Sequence, residues 1–205
     1  MSTAKRSQKI RDMVFLAMMA AIVVVLQIVC TFIKFGPFSI TLALAPIIIG
    51  AALYGGRGGA ILGFAFGLVV YITGLLGWDG GFVNILMGIN PIATTLLCIV
   101  KGTVAGWVAA LVYKPIEKKN SLAAVVTAGV AAPIANTGLF ALGILLFFSD
   151  FLSGSAAAEG TSALSLLFLG WIGINFIVEL VVNMVLATVI NRIIALARRE
   201  TARYL

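Results

Sequence analysis

Two charged residues lie where a charge is costly, inside long apolar stretches of the chain. Lys101 interrupts the stretch "NPIATTLLCIVKGTVAGWVAALVYKP", which begins at Asn90. A helical rise of about 1.5 Å per residue puts Lys101 roughly 15 Å deep in a bilayer, near its midplane. Glu179 reaches a similar depth in the last apolar stretch. Ionisable groups at such depth face protein or a water-filled cavity and indicate function.

Uncharged polar residues accompany the lysine on the same helix. Asn90 and Thr94 share one helical face with Lys101, at offsets of four and eleven residues. In the next apolar stretch, Asn136 and Thr137 again lie about halfway across the membrane. Such a lining could bind a polar solute, and the ammonium favours an anionic one.

The last apolar stretch carries a polar stripe of its own. Asn175, Glu179 and Asn183 repeat every four residues and therefore share one face. Two interpretations stay open: Lys101 and Glu179 form a buried ion pair that neutralises both, or the stripes line a ligand pocket that opens outward. The predicted binding residues are Asn90, Thr94, Lys101, Asn136, Thr137, Asn175 and Glu179.

Catalytic chemistry has little support in this sequence. The chain has no His, and its two cysteines, Cys30 and Cys98, lie far apart in apolar stretches. No Gly-x-x-x-x-Gly-Lys-Ser/Thr loop is present, so ATP hydrolysis by the usual phosphate loop is excluded. We therefore predict no catalytic residue, no metal ligand and no enzyme activity.

The composition is that of an integral membrane protein. Of the 205 residues, 62% are hydrophobic and only 10% are charged, against about 25% charged in soluble domains. The mean hydropathy is +1.17. The net charge of +7 does not indicate nucleic acid, because basic residues sit at the ends of apolar runs. Nearly continuous apolar runs predict one transmembrane domain over residues 1–205.

Six segments meet the length needed to span a bilayer. The predicted fold is an all-α bundle with spans at about 11–33, 39–54, 59–77, 89–113, 121–148 and 163–196. The second span is short and contains Pro46, so we expect it to be kinked and packed among its neighbours. Placing both termini in the cytoplasm leaves all Lys and Arg residues except Lys34 and Lys101 on that side.

Small residues at four-residue spacing predict close helix contacts. The first span contains Ala17 and Ala21 on one face, which could pack inside the bundle or against a partner. The third span carries a ladder that we assign to internal packing: Gly55, Gly59, Gly63 and Gly67. The connection "SDFLSGSAAAEGTS" before the sixth span is the longest and could act as a lid.

Several of these passages resemble the substrate-binding S components of energy-coupling factor (ECF) vitamin transporters. They are "RDMVFLAMMAAIVVVLQ", "ITLALAPIIIGAALYGGRGGAILGFAFGLVV", "INPIATTLLCIVKGTVAGWVAALVY" and "APIANTGLF". The second, with Pro46 and its glycine turn, is the most specific, and the resemblance covers nearly the whole chain.

The resemblance implies a multi-pass receptor in the cell membrane of a bacterium that captures a water-soluble vitamin or related micronutrient from outside. It implies docking through Ala17 and Ala21 onto a transmembrane coupling protein that two ATPase subunits drive. ATP is then used by the partners, and this chain needs no cofactor. It also implies a pocket toward the outer half, built from the loop after the first span and from spans four to six.

The passage around "FGPFSITLALAPIIIGAALYGGRGGAILG" is most similar to pantothenate-type members, so pantothenate is the first expectation. Lys101 suits its carboxylate, although an ion pair with Glu179 would remove that argument. Riboflavin, folate or a pyrimidine precursor stay open as ligands. The alternatives in function are a stand-alone secondary carrier or channel for a small polar solute, and a structural subunit or lipid enzyme.

Overall fold

The computed structural model describes residues 3–35, 38–39 and 41–202. Apart from a hairpin with two residues in each strand, these residues form helices joined by short connections. In chain order the elements are α1 (Thr3–Thr31), β1 (Lys34–Phe35), β2 (Phe38–Ser39), α2 (Leu44–Leu75), α3 (Phe82–Ile89), α4 (Pro91–Glu117), α5 (Ser121–Phe147), α6 (Ser149–Ala158), α7 (Ala163–Ser165), a π-helical segment (Leu166–Gly173) and α8 (Ile174–Ala202).

Within this described part of the chain, five helices are long and apolar enough to cross a membrane. They are Gln8–Thr31, Leu44–Leu75, Pro91–Glu117, Ser121–Phe147 and Ala163–Glu200. The predicted helical class is therefore confirmed. The separate spans predicted at 39–54 and 59–77 are covered for the most part by the single element α2.

Helix α2 is interrupted at Gly55, whose φ of 70° and ψ of −160° are not helical. Its two halves pack against each other: a Cβ added to Gly59 would lie 3.0 Å from Ala51 Cβ, and one added to Gly58 would lie 2.9 Å from Gly50 O. Residues eight apart in an unbroken helix are about 12 Å apart along the axis. The chain therefore turns back on itself at Gly55.

Pro46 does not kink this helix, so the expected kink at Pro46 is wrong. It lies in the first turn of α2, where its missing N–H would have no intrahelical partner in any case. The expectation that this segment packs among its neighbours is correct, since Leu44, Ile47 and Ile48 are completely buried. They form the centre of an apolar core with Ala109 of α4 and other residues of α1, α5 and α8.

The glycine ladder packs inside the bundle, as predicted, and the structure shows that it joins the second half of α2 to α4. Cβ atoms added at Gly59 and Gly63 would collide with the carbonyl groups of Gly106 and Gly102. Gly67 continues this contact, because its added Cβ would lie 2.6 Å from Cys98 O. The absence of side chains lets the two backbones touch, which is how helices pack closely without a hydrophobic driving force in lipid.

The ends of the helices sort into two groups. At one end, Arg198 of α8 forms an ion pair with Glu117 of α4 and donates a hydrogen bond to Ala52 O at 3.2 Å. At the other, the rings of Phe32 and Trp78 lie 5.5 Å apart. Helix α2 begins and ends at the second of these groups and reaches the first at its turn near Ala52. The connection expected to be a loop before the last span is mostly helical, because α6 occupies Ser149–Ala158.

Candidate ligand-binding site

A cavity lies between the long helices and the short elements α3 and the π-helical segment. It contains about 870 Å³ of space, counting its open side. Its polar lining consists of Gln27, Thr41, Asp79, Lys101, Asn136, Thr137, Asn175 and Glu179. Five of the seven predicted binding residues therefore meet in one place: Lys101, Asn136, Thr137, Asn175 and Glu179.

Lys101 enters the cavity from α4 and lies beside an aromatic ring. Its Nζ is 5.0 Å from the centroid of Phe140 on α5, close enough for a cation–π interaction. The nearby Asp79 carboxylate accepts hydrogen bonds from the backbone N–H groups of Gly81 at 2.9 Å and Val83 at 2.8 Å, and so holds the start of α3. Phe140 thus gives Lys101 partial compensation for burial but leaves its three N–H donors for an anion.

The buried ion pair considered for Lys101 and Glu179 does not form. Among the residues that the structure describes, the ion pair within 4.0 Å is Arg198 with Glu117. Helices α2 and α5 each pack against both α4 and α8. Lys101 on α4 and Glu179 on α8 therefore line the same cavity from two different helices without forming an ion pair.

Three side chains on α5 and α8 form a deeply buried polar part of the cavity. Asn136, Asn175 and Glu179 are 7%, 7% and 6% exposed. Asn136 Oδ1, both amide atoms of Asn175, and Glu179 Oε2 have no hydrogen-bond partner in the described protein. Because buried polar groups are normally hydrogen-bonded, these atoms indicate a place for a polar ligand group. Thr137 lies beside them and is half-buried.

Aromatic residues close the remaining wall. Phe82 at the start of α3 contacts Trp171 of the π-helical segment, with ring centroids 5.4 Å apart and nearly perpendicular. Its ring also lies 6.2 Å from those of Phe140 and Phe151. The π-helical segment carries Trp171 and Ile172 into the cavity, and π-helical turns are frequent at functional sites. Phe66 and Phe176 also line the cavity.

The sequence-based search missed Gln27 and Thr41, which link α1 to the cavity. Thr41 Oγ1 donates to Gln27 Oε1 at 2.9 Å and accepts from the backbone N–H of Ala43 at 3.2 Å. Both residues are buried. The sequence does contain a signal, because Gln27 is an amide within the apolar first span. The rule that identified Asn136, that polar residues inside a span face the interior, also applies to Gln27.

Asn90 and Thr94 do not line the cavity. Asn90 is the residue before the first turn of α4, and its Oδ1 accepts from the backbone N–H of Ala93 at 3.0 Å. Thr94 Oγ1 donates to the Asn90 carbonyl at 2.8 Å. The two residues therefore satisfy backbone groups where α4 begins, which explains polar side chains at these positions without a ligand.

Ala17 and Ala21 lie on the exposed face of α1, between exposed apolar residues such as Met13 and Val25. The opposite face of the helix carries the buried Val23 into the core. Packing of the two alanines inside the bundle is thus excluded as their role. Their predicted contact with a partner stays a prediction.

The fold and the site together define a membrane-embedded protein with a solute cavity. The family model described as "ECF transporter, substrate-specific component" matches residues 11–191, and the chain belongs to this family. It is a multi-pass cell-membrane transport component and not an enzyme. The chain is also similar to the pantothenic acid transporter PanT of Lactococcus lactis subsp. cremoris. The two are 27% identical over 208 residues, which cover 96% of this chain and 100% of that protein.

Proposed function

We propose that this protein captures pantothenate from outside the cell, as the substrate-specific component of an ATP-driven ECF importer. The observation that carries the proposal is Lys101, an ammonium inside the cavity without an ion-pair partner in the described structure. Pantothenate is a small monocarboxylate, and a charge-assisted hydrogen bond to its carboxylate would compensate the half-buried cation. The similarity to a pantothenic acid transporter over 96% of the chain supports the same ligand.

The proposed topology has six spans with both termini in the cytoplasm. The break at Gly55 supports this count, because it divides α2 into a short buried helix and a longer one that turns back. The helix ends that meet around Arg198 and Glu117 then lie on the cytoplasmic side, where basic residues are enriched. The cavity accordingly opens toward the outer face.

Transport in this proposal requires partners: a transmembrane coupling protein and two ATPase subunits, which use the ATP. The exposed face of α1 around Ala17 and Ala21 is the proposed contact with the coupling protein. Small residues there allow the backbones of two helices to approach closely. A stand-alone carrier would need no such partner.

Two measurements test the proposal. Mass spectrometry of small molecules released from the purified, denatured protein should detect pantothenate, because a tightly bound ligand survives purification. Liposomes that contain this chain alone should take up no labelled pantothenate, whereas liposomes that also contain an ECF module and internal ATP should accumulate it. Uptake by the chain alone would favour the secondary carrier, and release of a different vitamin would contradict pantothenate.

A further inference from the structure

The cavity presents different chemistry at its two sides. On α4, Lys101 offers N–H donors to an acidic group. On α5 and α8, the buried atoms without protein partners are mostly acceptors: Asn136 Oδ1, Asn175 Oδ1 and Glu179 Oε2. A ligand that reaches across the cavity must therefore carry its acidic group at one end and hydrogen-bond donors at the other.

The two amide atoms of Asn175 restrict which ligand group can bind at this side of the cavity. Its Nδ2 also has no partner, so this side of the cavity needs an acceptor as well as donors. A hydroxyl group can donate and accept at once, whereas an ammonium group or a metal cation would leave the amide N–H groups unsatisfied. Hydroxyl groups therefore match Asn136, Asn175 and Glu179 better than a cationic group does.

We propose that Asn136, Asn175 and Glu179 form a subsite for hydroxyl groups at the end of the ligand remote from its carboxylate. The substrate class is then a hydroxylated monocarboxylate long enough to reach from α4 to α8. The inference rests on the proposed function, because it takes the carboxylate at Lys101 as its starting point. It adds to that function the residues that distinguish this class from unhydroxylated carboxylates.

The test compares two ligands by calorimetric titration of the purified full-length protein. One is pantothenate, and the other is the analogue in which hydrogen replaces its terminal hydroxyl. A buried site that hydrogen-bonds a hydroxyl should prefer pantothenate by roughly 10- to 100-fold. Glu179→Met, of similar length but without hydrogen-bonding groups, and Asn175→Ala should each reduce this preference to about 3-fold or less.

The analogue also serves as the folding check, since variants that still bind it have kept the cavity. Asn183→Ala is the matched control: Asn183 is a buried amide one turn further along α8 that does not line the cavity. It should keep the wild-type preference. An unchanged preference in both Glu179→Met and Asn175→Ala would overturn the hydroxyl subsite while leaving pantothenate binding intact. Failure of the wild type to bind pantothenate would overturn the proposed function and this inference together.

Discussion

At the scale of single residues, most polar groups of the site are not paired with one another and therefore remain available to a ligand. Lys101 lies beside a ring and forms no ion pair, and Glu179 lines the same cavity from another helix. A buried ion pair would have served stability or specificity of folding. Polar groups that are not paired with each other instead favour recognition of a ligand, because each can bind one of its groups.

Asn90 provides a prediction about stability rather than recognition. Asn90→Ala removes the side-chain acceptor at the start of α4 and should destabilise the protein by about 0.5–2 kcal/mol. Asn90→Ser keeps a capping oxygen and should retain most of the stability. Thermal unfolding of both variants in detergent checks this, with pantothenate affinity measured alongside. If both variants lost affinity equally, Asn90 would contact the ligand and the capping role would be insufficient.

The sequence predicted which polar residues lie in the interior of the bundle better than it predicted the role of each one. Depth and helical periodicity correctly grouped Lys101 with Asn136 and Glu179, since unpaired polar groups cannot face lipid. The same pattern included Asn90, because a capping amide and a ligand-binding amide look alike in sequence. Only the structure reveals whether an amide side chain forms a hydrogen bond with the neighbouring backbone. Gln27 was missed because the search did not extend to the first span.

At the scale of elements, the fold is held by contacts in which a side chain would not fit. The second half of α2 meets α4 through paired glycines, so the two helices approach at backbone distance. This contact fixes α4, and with it the position of Lys101 relative to α2. Four-residue glycine spacing was visible in the sequence, but its partner glycines on α4 were not predicted.

A glycine substitution tests this helix contact. Gly63→Ala would place a Cβ against the Gly102 carbonyl and should destabilise the protein by about 1–3 kcal/mol. Gly138→Ala in α5 is the matched control, because no heavy atom lies within 4 Å of its added Cβ. The control should be neutral or more stable, since alanine is the better helix former. Equal unfolding temperatures for the two variants in detergent would refute the close packing of α2 on α4.

The turn at Gly55 agrees with the glycine turn that the sequence placed between the spans predicted at 39–54 and 59–77. Gly55 adopts its positive φ without strain, whereas the kink expected at Pro46 was wrong. One element-level feature lay beyond sequence reasoning. Helix α6 arises in a stretch rich in serine and glycine, where local preference favours a loop. Its buried Leu152 packs into an apolar cluster that includes Phe148 and Leu167, and this tertiary contact outweighs local preference.

At the scale of the whole molecule, the proposed ligand site and the proposed docking face lie on different surfaces of the bundle. The cavity is formed by residues that face the interior, whereas Ala17 and Ala21 face outward on α1. A change at the alanine face should therefore affect transport without altering ligand affinity.

Ala17→Trp is the variant that separates these functions. The bulky ring would prevent close approach of a partner helix, so pantothenate uptake with the ECF module should fall at least about tenfold while calorimetric affinity is unchanged. Val185→Trp is the control, since Val185 is 71% exposed on α8, away from the alanine face. It should support normal uptake. Full uptake with Ala17→Trp would show that this face is not the docking surface.

The central claim is that Lys101 receives the carboxylate of the ligand, and one titration tests it most directly. Calorimetry would compare pantothenate with pantothenol, in which an alcohol replaces the carboxylate, on the wild type and Lys101→Met. We predict that the wild type prefers pantothenate by roughly 10- to 100-fold and that Lys101→Met binds both ligands with similar, weak affinity. A wild-type protein that binds the two ligands equally, or a Lys101→Met variant that keeps the preference, would contradict the account.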